Sequence, residues 1–134
     1  MRFRKFYAII LASLGLTGFA SVANANTIQL TVNRPVNITY KIAHKNREGQ
    51  IEMSSLRSAR VDRSLTIPVK LLDYSLAGIV LVSVDGHELP PEITQFDKPK
   101  QCSMTTDRNR PSGRLDFSLK PHSITCRSYG GVYG

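Results

Sequence analysis

From Thr27 onward, apolar side chains in this chain recur every second residue, a period that only β-strands can bury along one face. Ile28, Leu30 and Val32 alternate with Thr27, Gln29 and Thr31. Val36, Ile38, Tyr40 and Ile42 alternate with Asn37, Thr39 and Lys41, after a terse Asn33-Arg34-Pro35 break. Leu65, Ile67 and Val69 resume the pattern, as do Cys102, Met104 and Thr106, and most cleanly Leu115, Phe117 and Leu119. Ile79 to Val84 is instead a continuous apolar, β-branched run, which suits a central strand covered on both faces. A short strand is expected over Ile51 to Ser55, and a last one through Ile124, Cys126 and Ser128.

The punctuation between these runs has the chemistry of tight turns. Asp85-Gly86 supplies the left-handed conformations of a two-residue hairpin, with His87 to Leu89 starting the return before Pro90-Pro91 ends it. Pro121-His122 turns the chain before the last strand, and Asp107 to Gly113 reads as a polar loop. Pro68 falls inside a strand, so that strand should lie at a sheet edge or carry a bulge. Ile93 to Lys100 looks irregular. Ser54 to Arg63 reads as loop or a short turn of helix, because three serines weaken any longer helix. Seven to nine short strands with no convincing helix predict an all-β fold: a small β-sandwich of immunoglobulin-like architecture, with a small open β-barrel as the alternative. Gly130, Gly131 and Gly134 predict a C-terminal tail that is flexible from about residue 129, carrying Tyr129 and Tyr133.

The first 25 residues follow another rule. Arg2, Arg4 and Lys5 precede an apolar stretch from Phe6 to Phe19, which closes on Ala23-Asn24-Ala25. This is the order of a bacterial secretion signal, with cleavage expected between Ala25 and Asn26. The stretch is shorter than the ~20 apolar residues a spanning helix needs, and no later segment approaches that length. Asn26 stands where a lipoprotein would need cysteine, and Phe3 separates the two arginines, so the general secretion pathway is the expected route. The expected destination is the periplasm or beyond. Residues 26–134 then form one domain.

Cys102 and Cys126 are the only two cysteines. In an oxidising compartment an even pair this far apart is most simply a structural disulfide, rather than a Cys-x-x-Cys redox site or a metal site. Closing a loop of about 25 residues is worth roughly 3.5 kcal/mol in the chain-entropy picture.

No catalytic pattern emerges. His44, His87 and His122 each sit beside an expected turn, and His87-Glu88-Leu89-Pro90-Pro91 departs from the zinc-protease helix motif because prolines follow. Neither a nucleophile elbow nor a glycine-rich phosphate loop occurs. Asn37-Ile38-Thr39 matches a glycosylation acceptor by chance inside a strand. No metal or other cofactor is expected. The pattern that stands out is charge: Lys and Arg number 18 against 10 Asp and Glu, a formal net charge of +8 that the leader lowers by three on removal. Arg57, Arg60 and Arg63 recur every third residue, so a helical turn would gather them on one side. Arg108, Arg110 and Arg114 form a second group in the 107–114 loop. Arginine's planar fork suits phosphate and carboxylate, and without interleaved aromatics the charge does not suggest nucleic acid.

The leading expectation is a non-enzymatic periplasmic or secreted binding protein that contacts an anionic envelope component or an acidic partner protein. The alternative is a structural subunit of a surface assembly joined by strand addition, and a third reading is a small secreted hydrolase. The processing expectation is directly checkable. Intact-mass measurement on exported protein should give a chain starting at Asn26; a full-length mass would refute cleavage.

Overall fold

A computed structural model describes residues 25–99 and 101–132. The leader through residue 24, Lys100, Tyr133 and Gly134 lie outside the described residues. In chain order the strands are β1 (Ala25–Val32), β2 (Val36–Lys45), β3 (Ile51–Met53), β4 (Arg57–Val61) and β5 (Ser64–Lys70). They are followed by β6 (Leu76–Val84), β7 (His87–Glu88), β8 (Ser103–Thr106), β9 (Ser112–Lys120) and β10 (Ser123–Gly130). A single 3-10 turn, Pro91–Ile93, is the only helical element among the described residues.

Two sheets pack face to face. The first has four strands in the order β10-β9-β1-β5, with β1 parallel to β9 and the other pairs antiparallel. The second has six, built on the antiparallel β2–β6 pair. β3 and β4 share the outer edge of β2, and β7 and β8 share the outer edge of β6. This is a β-sandwich; no closed barrel forms among the described residues. The alternation read from the chain becomes the core: Ile28, Leu30, Ile38, Ile79, Leu81, Leu115 and Phe117 all point between the sheets and are at most 1 % exposed. Continuous burial of β6 is explained too, since Phe96 from the 90–101 strap covers Val80 and Ala43 on the outer side of the second sheet.

The turn chemistry behaves as its residues dictate. Asp85 and Gly86 both take positive φ (50° and 82°), closing the β6–β7 hairpin. Pro68 lies on β5, an edge strand, and its side chain is exposed. Its missing N–H is needed by no neighbour, because the backbone of Arg63, odd-numbered like the inward-bonded positions of β5, accepts from Val32 (3.0 Å).

Two expectations meet a different arrangement. Ser54 to Arg63 holds no helical turn: Arg57–Val61 is strand β4, paired with β2 through Val36↔Val61, Ile38↔Ala59 and Tyr40↔Arg57. The open edge of β2 supplies ladder partners that local propensity does not anticipate. Ser54 carries the ladder across the gap between β3 and β4, donating its N–H to Ile42 O (2.8 Å) while its hydroxyl accepts the Ile42 N–H (2.9 Å). The C-terminal segment, expected to be flexible from about residue 129, is paired through Val132. Tyr129 and Gly130 complete β10 against Arg114 and Gly113. Gly130 and Gly131 then take φ of 69° and 66°, and Val132 donates to Thr105 O (2.9 Å), passing the chain from one sheet to the other. A Cβ on Gly131 would lie 2.5 Å from the Thr105 backbone oxygen, at a positive φ that side chains rarely adopt, so only glycine makes this crossing.

Cys102 and Cys126 are joined in a disulfide with a Cα–Cα distance of 5.3 Å. Cys126 lies on β10 in the first sheet, whereas Cys102 immediately precedes β8 and accepts Leu81 N–H (3.0 Å) at the edge of the second. The bond therefore fastens the two sheets along one seam. Both thiols should resist alkylation until reduced. Cys126→Ser should lower unfolding stability by about 2–5 kcal/mol in urea titrations, and the effect should vanish when wild type is compared under reducing conditions.

Candidate functional site

The β9–β10 hairpin presents two chemically different sides because strand side chains alternate across the sheet. Leu115 and Phe117 enter the core, with Leu119, Ile124 and Cys126 half-buried beside them. Arg114, Asp116, Ser118, Lys120, Thr125, Arg127 and Tyr129 take the outer side, in the cross-strand pairs Arg114↔Tyr129, Asp116↔Arg127 and Ser118↔Thr125. The Arg114 guanidinium carbon lies 4.3 Å from the centre of the Tyr129 ring, a cation–π contact. Arg114 Nε also donates to Asp116 Oδ1 (2.8 Å), which accepts the Thr31 hydroxyl as well. Arg127 donates to the Tyr129 hydroxyl at 3.4 Å. Asp116 is thereby committed to Arg114 and Thr31, and Lys120 has no carboxylate partner among the described residues. A depression of about 450 Å³ lies between Lys120 and Arg127, with the Ser118 and Thr125 hydroxyls in it.

Around the hairpin turn, Lys120 also stands on the rim of a larger cleft of about 670 Å³ at this end of the sandwich. Its floor is apolar, made by Val84, Leu89, Ile93, Leu119 and Ile124. Its rim carries Arg34, Asp85, His87, Glu88, Lys120 and His122. The Asp85 carboxyl is held below its ordinary range, first because it accepts the backbone N–H of Asn37 (2.9 Å) and then because Arg34 sits 3.2 Å away; partial burial opposes both.

Sequence spacing foresaw only part of this. The structure separates the two arginine groups rather than uniting them. Arg57 and Arg60 sit on β4, where a three-residue spacing points side chains to opposite faces, and Arg63 lies in the following turn. Arg60 pairs with Asp62 at 3.1 Å. Arg108 and Arg110 lie in the 107–111 loop, where Asp107 accepts the N–H groups of Asn109 and Arg110 and pairs with the Arg110 side chain at 3.2 Å. Val32 bonds Arg63 at one end of β1 and Thr27 bonds Pro111 at the other, so the groups are roughly 16 Å apart by strand rise. Arg114 alone of the six joins the hairpin's outer face. Lys120, Arg127, His87 and His122 were not grouped by sequence, because β9 and β10 become neighbours of the β6–β7 turn only in the folded sandwich. The alternation of β9 was the one available signal for which hairpin side chains face outward.

His44 belongs elsewhere: its ring stacks on Tyr74 with centroids 4.3 Å apart, and Nε2 lies 2.8 Å from Lys70 O, closing the end of the β5 edge. No group of three or more His, Cys, Asp or Glu among the described residues is placed to hold a metal ion. No helix among the described residues is long and apolar enough to cross a membrane. No family model, curated protein or solved structure matches the chain.

The Asp85 geometry has a pH signature. A carboxyl whose folded pKa is depressed contributes stability above its unfolded pKa, and that contribution is lost as pH falls through the folded value. Stability should therefore decline below about pH 4 more steeply in wild type than in Asp85→Asn, which keeps an Asn-Gly turn. Thermal melts across this range would show parallel pH profiles if Asp85 carried no such linkage.

Proposed function

We propose that this chain is a non-enzymatic binding module of an extracytoplasmic compartment, and that the β9–β10 hairpin takes an anionic component of the envelope. The observation that carries this reading is the pairing of Lys120 and Arg127 across two hydroxyls, next to Arg114, with the single nearby carboxylate already engaged. Two cations and two hydroxyl donors around one depression suit phosphate or carboxylate groups. The face has no apolar centre of the kind that anchors protein partners, which favours a charged envelope component over an acidic protein. The disulfide and the leader-like N-terminal sequence support the compartment.

Strand addition has one observation in its favour. β10 is an edge strand of eight residues with no proline and one charged side chain, whereas the other long edges are blunted. That reading requires a particle size that rises with concentration; the binding module stays monomeric.

Charge reversal separates the arginine groups. Lys120→Glu with Arg127→Glu should weaken binding to phosphatidylglycerol vesicles and to an acidic polysaccharide at least tenfold, which asks for only ~1.4 kcal/mol. The wild-type affinity should also fall steeply with salt, since such exposed charges are screened within about 10 Å at 0.1 M. Reversing Arg57, Arg60 and Arg63 should change affinity far less. Equal effects from both reversals, or none from the first in a folded protein, would refute the hairpin as the site. Vesicle binding without polysaccharide binding would identify lipid as the source of the anion, and the converse would identify glycan.

A further inference from the structure

We infer that the end cleft admits the apolar chain of the bound anion, so that the ligand is an amphiphile: a single alkyl or acyl chain ending in phosphate or carboxylate. This rests on the proposed anion-binding role of the hairpin, and it adds the class of molecule. Lys120 is the link, because it stands both beside the Ser118–Thr125 depression and on the rim of the cleft. An anionic head held at Lys120 has apolar floor on one side and polar sheet on the other.

The cleft lies at the turn end of the hairpin, beside the seam that the disulfide closes. The disulfide draws Cys126 to within 5.3 Å of Cys102, well under the ~10 Å usual between packed sheets. Ile124, two residues away toward the turn, already lines the cleft. There Leu119 and Ile124 from the hairpin stand around the cleft with Leu89, just past β7, and with Ile93 of the 3-10 turn, and Val84 lies among them. Ile93, Leu119 and Ile124 are left half-buried, against a floor that offers water few hydrogen-bonding partners. The volume falls within the ~300–1,000 Å³ of ordinary small-molecule sites.

The rim selects the sign of the head. Asp85 faces Arg34 and accepts from Asn37, which leaves Glu88 as the rim carboxylate without an ion-pair partner among the described residues. Against it stand Lys120 and the rings of His87 and His122. An anionic head finds Lys120 at the mouth, while a cationic head would have to settle beside that same ammonium.

Calorimetric titration with hexyl, octyl and decyl phosphate below their micelle concentrations tests the inference, with inorganic phosphate and decyltrimethylammonium as references. Affinity should rise about tenfold for each two methylenes added, the value expected for burying a hydrocarbon chain. Lys120→Gln should weaken every member by a similar factor. Ile93→Asp should flatten the chain-length series and spare hexyl phosphate; if that variant does not fold, Ile93→Ala should flatten it partly. A flat series in a wild-type protein that still binds acidic polysaccharide would overturn the cleft assignment and leave the proposed function standing. A rising series unaffected by a folded Ile93 variant would also overturn it, since the chain would then lie elsewhere. Tighter binding of decyltrimethylammonium than of decyl phosphate would overturn both readings.

Discussion

The outer strand of the hairpin that carries the candidate site is the margin of a sheet, and one covalent bond ties that strand to the opposite sheet. β10 has a strand neighbour on only one side, so its position depends on β9 and on the Cys102–Cys126 bridge to the second sheet. The bridge pins the middle of β10, the Gly130–Gly131 crossing anchors its far end on Thr105, and toward the turn the Asn33 amide holds both backbone groups of Leu119. The cleft and its shared lysine lie at the turn end of that seam, and the outward basic face follows from the alternation of the two strands.

The other margins of the sandwich are protected by different means. β5 carries Pro68, and its Lys70 carbonyl is met by His44. β6 is covered by β7, by Leu89 N–H donating to Val82 O, by Cys102 and by β8. The β4 margin carries Arg57 and Arg60, and charged side chains on an exposed strand disfavour pairing with another sheet. This gives those arginines a structural purpose apart from ligand binding.

The residues that were legible from sequence are those whose constraint is local. Alternation in β1, β2, β5 and β9 identified Ile28, Ile38, Ile67 and Phe117 as core because the strand period alone assigns a side chain to a face. Asp85-Gly86 declared its hairpin, and Pro68 its edge, through backbone geometry that needs no partner. Ser54 to Arg63 was opaque for the opposite reason. Its serines and spaced arginines favour no element by themselves, and the open edge of β2 made Arg57–Val61 a strand. Tyr129 to Val132 misled in a similar way, since a glycine pair signals freedom in sequence but here serves a crossing that larger residues would block.

By itself the sequence determined that the chain would form strands, which side chains each strand would bury, where the tight turns would fall, and that its two cysteines were the candidates for a bridge. These follow from the two-residue period, the φ preferences of glycine and proline, and the parity of the cysteines. Only the tertiary structure decided which cations share a surface. It set Lys120 and Arg127 at the two ends of one depression and brought Lys120 to the cleft that His87 lines, and it left Arg63 and the 107–111 loop at opposite ends of β1. Strand period specifies a face but not a neighbour, and a binding surface is made of neighbours.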